Sequence, residues 1–99
     1  MRVIAFRKLR EFWERPGFSN SETSLRAWYH EVKRAEWNNS NEIKNQFQSA
    51  SVIGNGRIVF NIRGNSIRLL VAFDFERQIA FVRFIGSHKE YDKIDVKEI

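Results

Sequence analysis

Beyond residue 50 the hydrophobic pattern changes from a helical period to a period of two, and that switch limits the architectures open to this chain. Arg57-Ile58-Val59-Phe60-Asn61-Ile62-Arg63 reads as a strand, and Gly64-Asn65 is a two-residue hairpin signal. Residues 66–75 and 78–85 are two further apolar runs, joined at Glu76-Arg77. Ahead of them, residues 50–53 form a short strand candidate closed by the turn Gly54-Asn55-Gly56. Strands linked this tightly pair antiparallel, because parallel neighbours need a long crossover.

Upstream the signals are helical. Residues 1–6 suit an opening strand, after which Leu9, Phe12 and Trp13 fall at helical spacing. Arg7/Glu11, Arg10/Glu14 and Glu11/Arg15 stand four apart as supporting pairs, and Pro16-Gly17 stops the helix. Ser19-Asn20-Ser21-Glu22 offers a capping box for a second helix whose apolar face is Leu25, Trp28, Val32 and Ala35. Asn39 with Glu42 can cap one more turn through residues 43–47. The order predicts an α+β fold over residues 1–99 as one domain, with the helices on one side of the sheet.

Register turns scattered arginines into a surface. A turn at Gly64-Asn65 pairs Ile62 with Ile67, Phe60 with Leu69 and Ile58 with Val71, making an apolar face for the helices. Arg57, Asn61, Arg63 and Arg68 then share the opposite face, with Asn61 across from Arg68. A turn at Glu76-Arg77 sets Val71 against Val82 and Leu69 against Phe84, and puts Arg83 opposite Leu70 on the arginine face. Each arginine alone fits a solvated face that discourages edge pairing. Gathered, guanidinium groups suit bidentate contact with phosphate and stacking on unpaired bases.

Composition agrees with a polyanionic partner. The formal net charge is +5, and residues 43–89 hold seven basic residues against two acidic ones, while the remainder balances. The absence of cysteine removes disulfides and thiolate metal sites, and His30 and His88 lack zinc-motif spacing, so neither a metal nor another cofactor is expected. No apolar run suits a membrane span, and charge interrupts the N-terminus too early for a signal peptide, which points to the cytoplasm.

Where the last strand ends, the chain carries Phe84-Ile85-Gly86-Ser87-His88-Lys89-Glu90-Tyr91-Asp92-Lys93-Ile94. A histidine there can exchange protons near neutral pH, though a lone loop histidine is more often an ordinary surface residue. This segment resembles the closing motif of HigB-type toxins of the RelE/ParE superfamily. So do Leu25-Arg26-Ala27-Trp28-Tyr29-His30-Glu31-Val32 and Val59-Phe60-Asn61-Ile62-Arg63-Gly64-Asn65 with Ile67-Arg68-Leu69.

The resemblance implies a RelE-like microbial RNase fold, with an N-terminal strand and two to three helices on one face of a mainly antiparallel sheet of four to five strands. It implies metal-independent mRNA cleavage, ribosome-dependent in several relatives, and a HigA-type helix-turn-helix antitoxin as partner. By position it assigns Arg68 and Arg83 to phosphate and phosphorane stabilisation, His88 to proton transfer and Tyr91 to stacking or hydrogen bonding. Arg57, Asn61, Arg63, Lys89 and Lys93 become RNA contacts. Tyr91 suits an anchoring role for the tail equally well. A non-catalytic nucleic-acid-binding module and a ParE-like toxin acting on a protein target remain open as alternatives.

Overall fold

The computed structural model describes residues 1–63 and 66–99, so the expected turn at Gly64-Asn65 lies outside the described residues. Strand β1 (Arg2–Ile4) leads into helix α1 (Phe6–Trp13), a 3-10 turn (Ser19–Ser21), α2 (Glu22–Arg34) and α3 (Ser40–Gln46). Strands β2 (Ser51–Gly54), β3 (Arg57–Ile62), β4 (Ile67–Asp74) and β5 (Ile79–Ser87) follow, and α4 (His88–Tyr91) comes last. The strands lie in the order β1-β5-β4-β3-β2, parallel between β1 and β5 and antiparallel elsewhere. This is the α+β fold with a mainly antiparallel five-stranded sheet that the sequence implies. Among the described residues no helix is long and apolar enough to cross a membrane.

The helical faces match their spacing. Leu9, Phe12 and Trp13 are buried in α1, and Leu25, Trp28 and Val32 in α2. Trp37 joins them in the core, its indole N–H donating to Gln46 Oε1 at 3.2 Å. Asn39 caps α3 as expected, its side chain accepting from the Glu42 amide at 3.0 Å. The capping box foreseen at residues 19–22 does not form. Ser21 is buried and donates its hydroxyl to the Phe18 carbonyl at 2.6 Å, because a 3-10 turn occupies the helix entry. Of the charge pairs foreseen along α1, Arg7 and Glu11 approach to 3.6 Å, whereas Arg15 lies over the Phe12 and Phe18 rings and pairs with Glu90 instead.

The β3–β4 register is as expected: Ile58 pairs with Val71, Phe60 with Leu69, Asn61 with Arg68 and Ile62 with Ile67. Phe60, 1% exposed, stands at the centre of the helix-covered core with Trp28, Phe47 and Phe73 rings around it at centroid distances of 5.4, 5.0 and 6.1 Å. The β3 entry depends on Gly56, whose φ is +76° and whose carbonyl accepts from the Phe73 amide at 2.8 Å. A methyl group on Gly56 would fall 2.5 Å from the Phe73 carbonyl oxygen. Gly56→Ala is therefore expected to destabilise the fold by about 1–3 kcal/mol from backbone strain alone, readable as a lower denaturant midpoint.

The β4–β5 register corrects the expectation in its second half. Val71 faces Val82 as foreseen, but Leu69 pairs with Ile85 rather than Phe84, and Leu70 pairs with Phe84 rather than Arg83. The ladder shifts by one residue between Leu70 and Val71, which leaves Arg83 as the extra residue of a β-bulge. The bulge keeps Ile85 against the core and leaves Arg83 exposed. The turn between β4 and β5 is tied by Asp74, whose carboxylate accepts from the Arg77 amide at 3.0 Å and its guanidinium at 2.9 Å. The same two donors, the amide first, hold the Asp74 carboxyl below the usual aspartate range.

Beneath the second face of the sheet the chain is not bare. Val59 and Leu70 are buried there, and the C-terminal residues reach over it: Arg57 donates to the Ile99 carbonyl, and His88 and Tyr91 close on Arg68.

Candidate active site

Arg68, half-buried, is the second residue of β4 and projects away from the helices, with Asn61 on one flank and Gly86 on the other. Gly86 leaves room on that flank. A methyl group there would stand 2.6 Å from Phe84 Cζ, so the Phe84 ring lies across the glycine. β5 ends at Ser87, and α4 starts with His88, whose amide donates to the Ser66 carbonyl at 3.3 Å. The side chain of His88 folds back onto β4, where Nδ1 lies 3.0 Å from Arg68 Nη2. A guanidinium can only donate, so Nδ1 is the acceptor and the imidazole proton of this arrangement sits on Nε2. That nitrogen faces Asp92 Oδ2 at 3.4 Å. Tyr91, one helical turn on, sets its ring 5.9 Å from the Arg68 guanidinium carbon and 6.4 Å from the Phe84 ring.

The sheet thus brings Arg68, His88 and Tyr91 into one cluster, with Phe84 as its wall. The remaining residues singled out from the sequence are more dispersed. Asn61 is adjacent to Arg68 but uses its amide on the Ser49 carbonyl at 2.7 Å. Arg63, exposed and at φ 52°, sits past the end of β3, on the rim of a groove that Trp28 and Phe47 also line. Arg57 stands at the other end of β3, about 13 Å of strand from Asn61 at roughly 3.3 Å per residue, and is bonded to the Ile99 carbonyl at 3.0 Å. Arg83 packs against the Phe81 ring, 5.5 Å from its centroid, rather than against His88. Lys89 and Lys93 are exposed on and just past α4. The gathering of four arginines expected on one wall is therefore looser than the sequence register implies, because strand length separates Arg57 from Arg68 and the bulge re-aims Arg83.

What sequence reasoning missed is the device that holds His88. Ser87 and Glu90 form a capping box: the Ser87 hydroxyl accepts from the Glu90 amide at 3.2 Å, and the Ser87 amide donates to the Glu90 carboxylate at 2.9 Å. The spacing Ser87-x-x-Glu90 carries this signal in the sequence. Arg15, at the exit of α1, reaches the other Glu90 oxygen at 3.2 Å, a contact between residues 75 apart that no local pattern announces. Donation from the Ser87 amide, and after it Arg15, outweighs desolvation and lowers the Glu90 pKa below the ordinary glutamate value of 4.5.

A cap is worth about 1 kcal/mol, so Glu90→Ala is expected to shift the docking equilibrium of α4 about fivefold toward the undocked form and to lower the activity that depends on it by up to that factor. Glu90→Gln keeps the cap and recovers most of that loss. Because the folded pKa of Glu90 is depressed, its contribution is fully present above pH 4.5 and is lost as pH falls through the lowered value. Acid titration of stability below pH 4.5 should therefore be shallower in Glu90→Gln than in the unmodified chain.

A cation, an imidazole with a directed proton and an aromatic ring on a half-open sheet face can grip a phosphodiester and move protons beside it. Comparison with known proteins gives the family. The family of RelE-like toxic components of toxin-antitoxin systems, HigB_toxin, matches residues 21–94, which include Arg68 and all of α4. A relative, the mRNA interferase HigB of Escherichia coli O6:H1 (strain CFT073), is 25% identical over 79 residues, covering 78% of this chain and 77% of the relative. The chain belongs to the HigB toxin family, the RelE-like toxic partner of an antitoxin.

Proposed function

We infer that this chain is an endoribonuclease that cuts mRNA and so arrests translation in the cytoplasm, acting on message engaged by the ribosome and neutralised by a HigA-type helix-turn-helix antitoxin. The observation that carries this reading is the 3.0 Å contact between Arg68 and His88 on the open face of the sheet, in a chain whose relative bears the name mRNA interferase.

In the mechanism this supports, the RNA phosphate takes over the Arg68 guanidinium and releases the lone pair on His88 Nδ1. The freed imidazole exchanges a proton with the reacting oxygens, the 2′-oxygen attacks phosphorus, and the bond from phosphorus to the 5′-oxygen breaks as that oxygen gains a proton. Arg68 neutralises the crowded phosphorane, and Arg83, at the bulge, adds positive charge from the adjoining edge of β5. Tyr91 stacks against or hydrogen-bonds the nucleotide held there. Asn61, Arg63, Lys89 and Lys93 line the path of the strand on either side, and Arg57 joins them where the C-terminal residues give way. The step needs no metal.

Purified protein incubated with mRNA, alone in excess chelator and, separately, with ribosomes in magnesium-containing buffer, tests the reading. Products with 2′,3′-cyclic phosphate and 5′-hydroxyl ends are expected. Intact RNA under both conditions would count against a nuclease, and salt-sensitive binding without cleavage would identify a binding module instead.

A further inference from the structure

Among the described residues β1 pairs with residues 79–81 of β5, so the outer half of β5 has β4 on one edge and no strand on the other. Helix α1 stands there instead, with Lys8 Nζ donating to the Val82 carbonyl at 3.2 Å. Between them runs an open groove of about 320 Å³. Phe12 and Ile85 give it an apolar floor, Phe84 a flat wall, and Lys8, Arg15 and Arg83 a cationic border, against one carboxylate, Glu11. Glu11 itself lies 3.6 Å from Arg7, so its charge is partly offset. The bulge supplies the third cation, since in an unbroken ladder Arg83 would sit across from Leu70.

Two features join this groove to the active cluster. Phe84 belongs to both, lining the groove and lying 6.4 Å from Tyr91. Arg15 closes the groove and holds Glu90, which caps the helix carrying His88. A flat aromatic wall bordered by cations, one strand segment from a phosphate-gripping arginine, fits the base and phosphate of a single unpaired nucleotide. An acidic peptide would use the cations but has no need of the flat ring.

We propose that the groove between α1 and the outer half of β5 is a nucleotide subsite, which holds the nucleotide flanking the cleaved bond, with its base against Phe84 and Ile85 and its phosphate on Lys8 and Arg83. The proposal rests on the ribonuclease reading. It makes Lys8 a binding residue for RNA, although Lys8 lies on α1, remote in sequence from β3, β4 and β5, and takes no part in proton transfer.

The test uses full-length His88→Ala protein, so that RNA stays whole, and a short single-stranded RNA carrying 4-thiouridine. Adding Lys8→Ala is expected to weaken binding by about threefold to tenfold and to reduce the slope of log K against log salt by about 0.7, the loss of one phosphate contact on a single strand. Lys33→Ala, which removes an equal charge from the exposed end of α2, should change neither. Photocrosslinks are expected in the peptides that hold residues 8–15 or 83–85. If Lys8→Ala and Lys8→Glu both bind as tightly as the parent, or crosslinks map only to β3 and β4, the subsite is overturned while the nuclease reading stands. If the parent does not bind RNA and the unmodified chain does not cut it, both fall.

Discussion

Arg68→Ala is expected to lower RNA cleavage by about 10²–10³-fold, the usual worth of one preorganised donor aimed at a developing phosphorane. The fold should survive, because Arg68 projects from the face opposite the core cluster and Asn61, Leu69 and Gly86 keep their strand partners without its side chain. Arg68→Lys should recover only a part of the loss. A lysine ammonium retains the charge but lacks the planar fork that can grip two phosphate oxygens at once. Rates measured on RNA, alongside circular dichroism of each variant, separate the chemical loss from unfolding.

Phe60→Ala should have the largest effect on stability, about 3–5 kcal/mol. Its ring is 1% exposed and touches aromatic partners from α2, from the segment after α3 and from β4, so truncation opens a cavity where three elements meet. For a domain of this size each kcal/mol moves the melting temperature by about 4–8 °C, so a fall of more than 10 °C is expected in a thermal scan. Ordinary domains hold only about 5–15 kcal/mol in total. The variant should therefore be partly unfolded in cells and lose toxicity through abundance, with His88 and Arg68 untouched.

The helix-covered core was largely legible because its rules are local and repetitive. Leu25, Trp28 and Val32 mark one helical stripe, and Phe60 and Ile62 mark one side of a strand whose pairing with β4 is confined by a short connection. The arginine face was legible only in part. A β-bulge adds one residue without any compositional mark: the run Arg83-Phe84-Ile85 can send either Phe84 or Ile85 to the core, and packing against Leu69 selects Ile85. Alternation also says which face a residue occupies but not how far along it lies, which is why Arg57 and Arg68 looked closer than they are. Helix α4 is too short for hydrophobic period to reveal, though its capping pair was present in the sequence at Ser87 and Glu90. The tie from Arg15 to Glu90 is set by tertiary packing alone.

Coupling between Arg68 and His88 can be measured by a double-mutant cycle on the rate of RNA cleavage, using Arg68→Ala, His88→Ala and both together. If the two side chains act as one unit, the double variant should be no slower than the worse single variant, because removing either already disables the pair. Losses that multiply, so that the double variant is slowed by the product of the two single effects, would show that the imidazole and the guanidinium work independently and that their 3.0 Å contact has no part in catalysis.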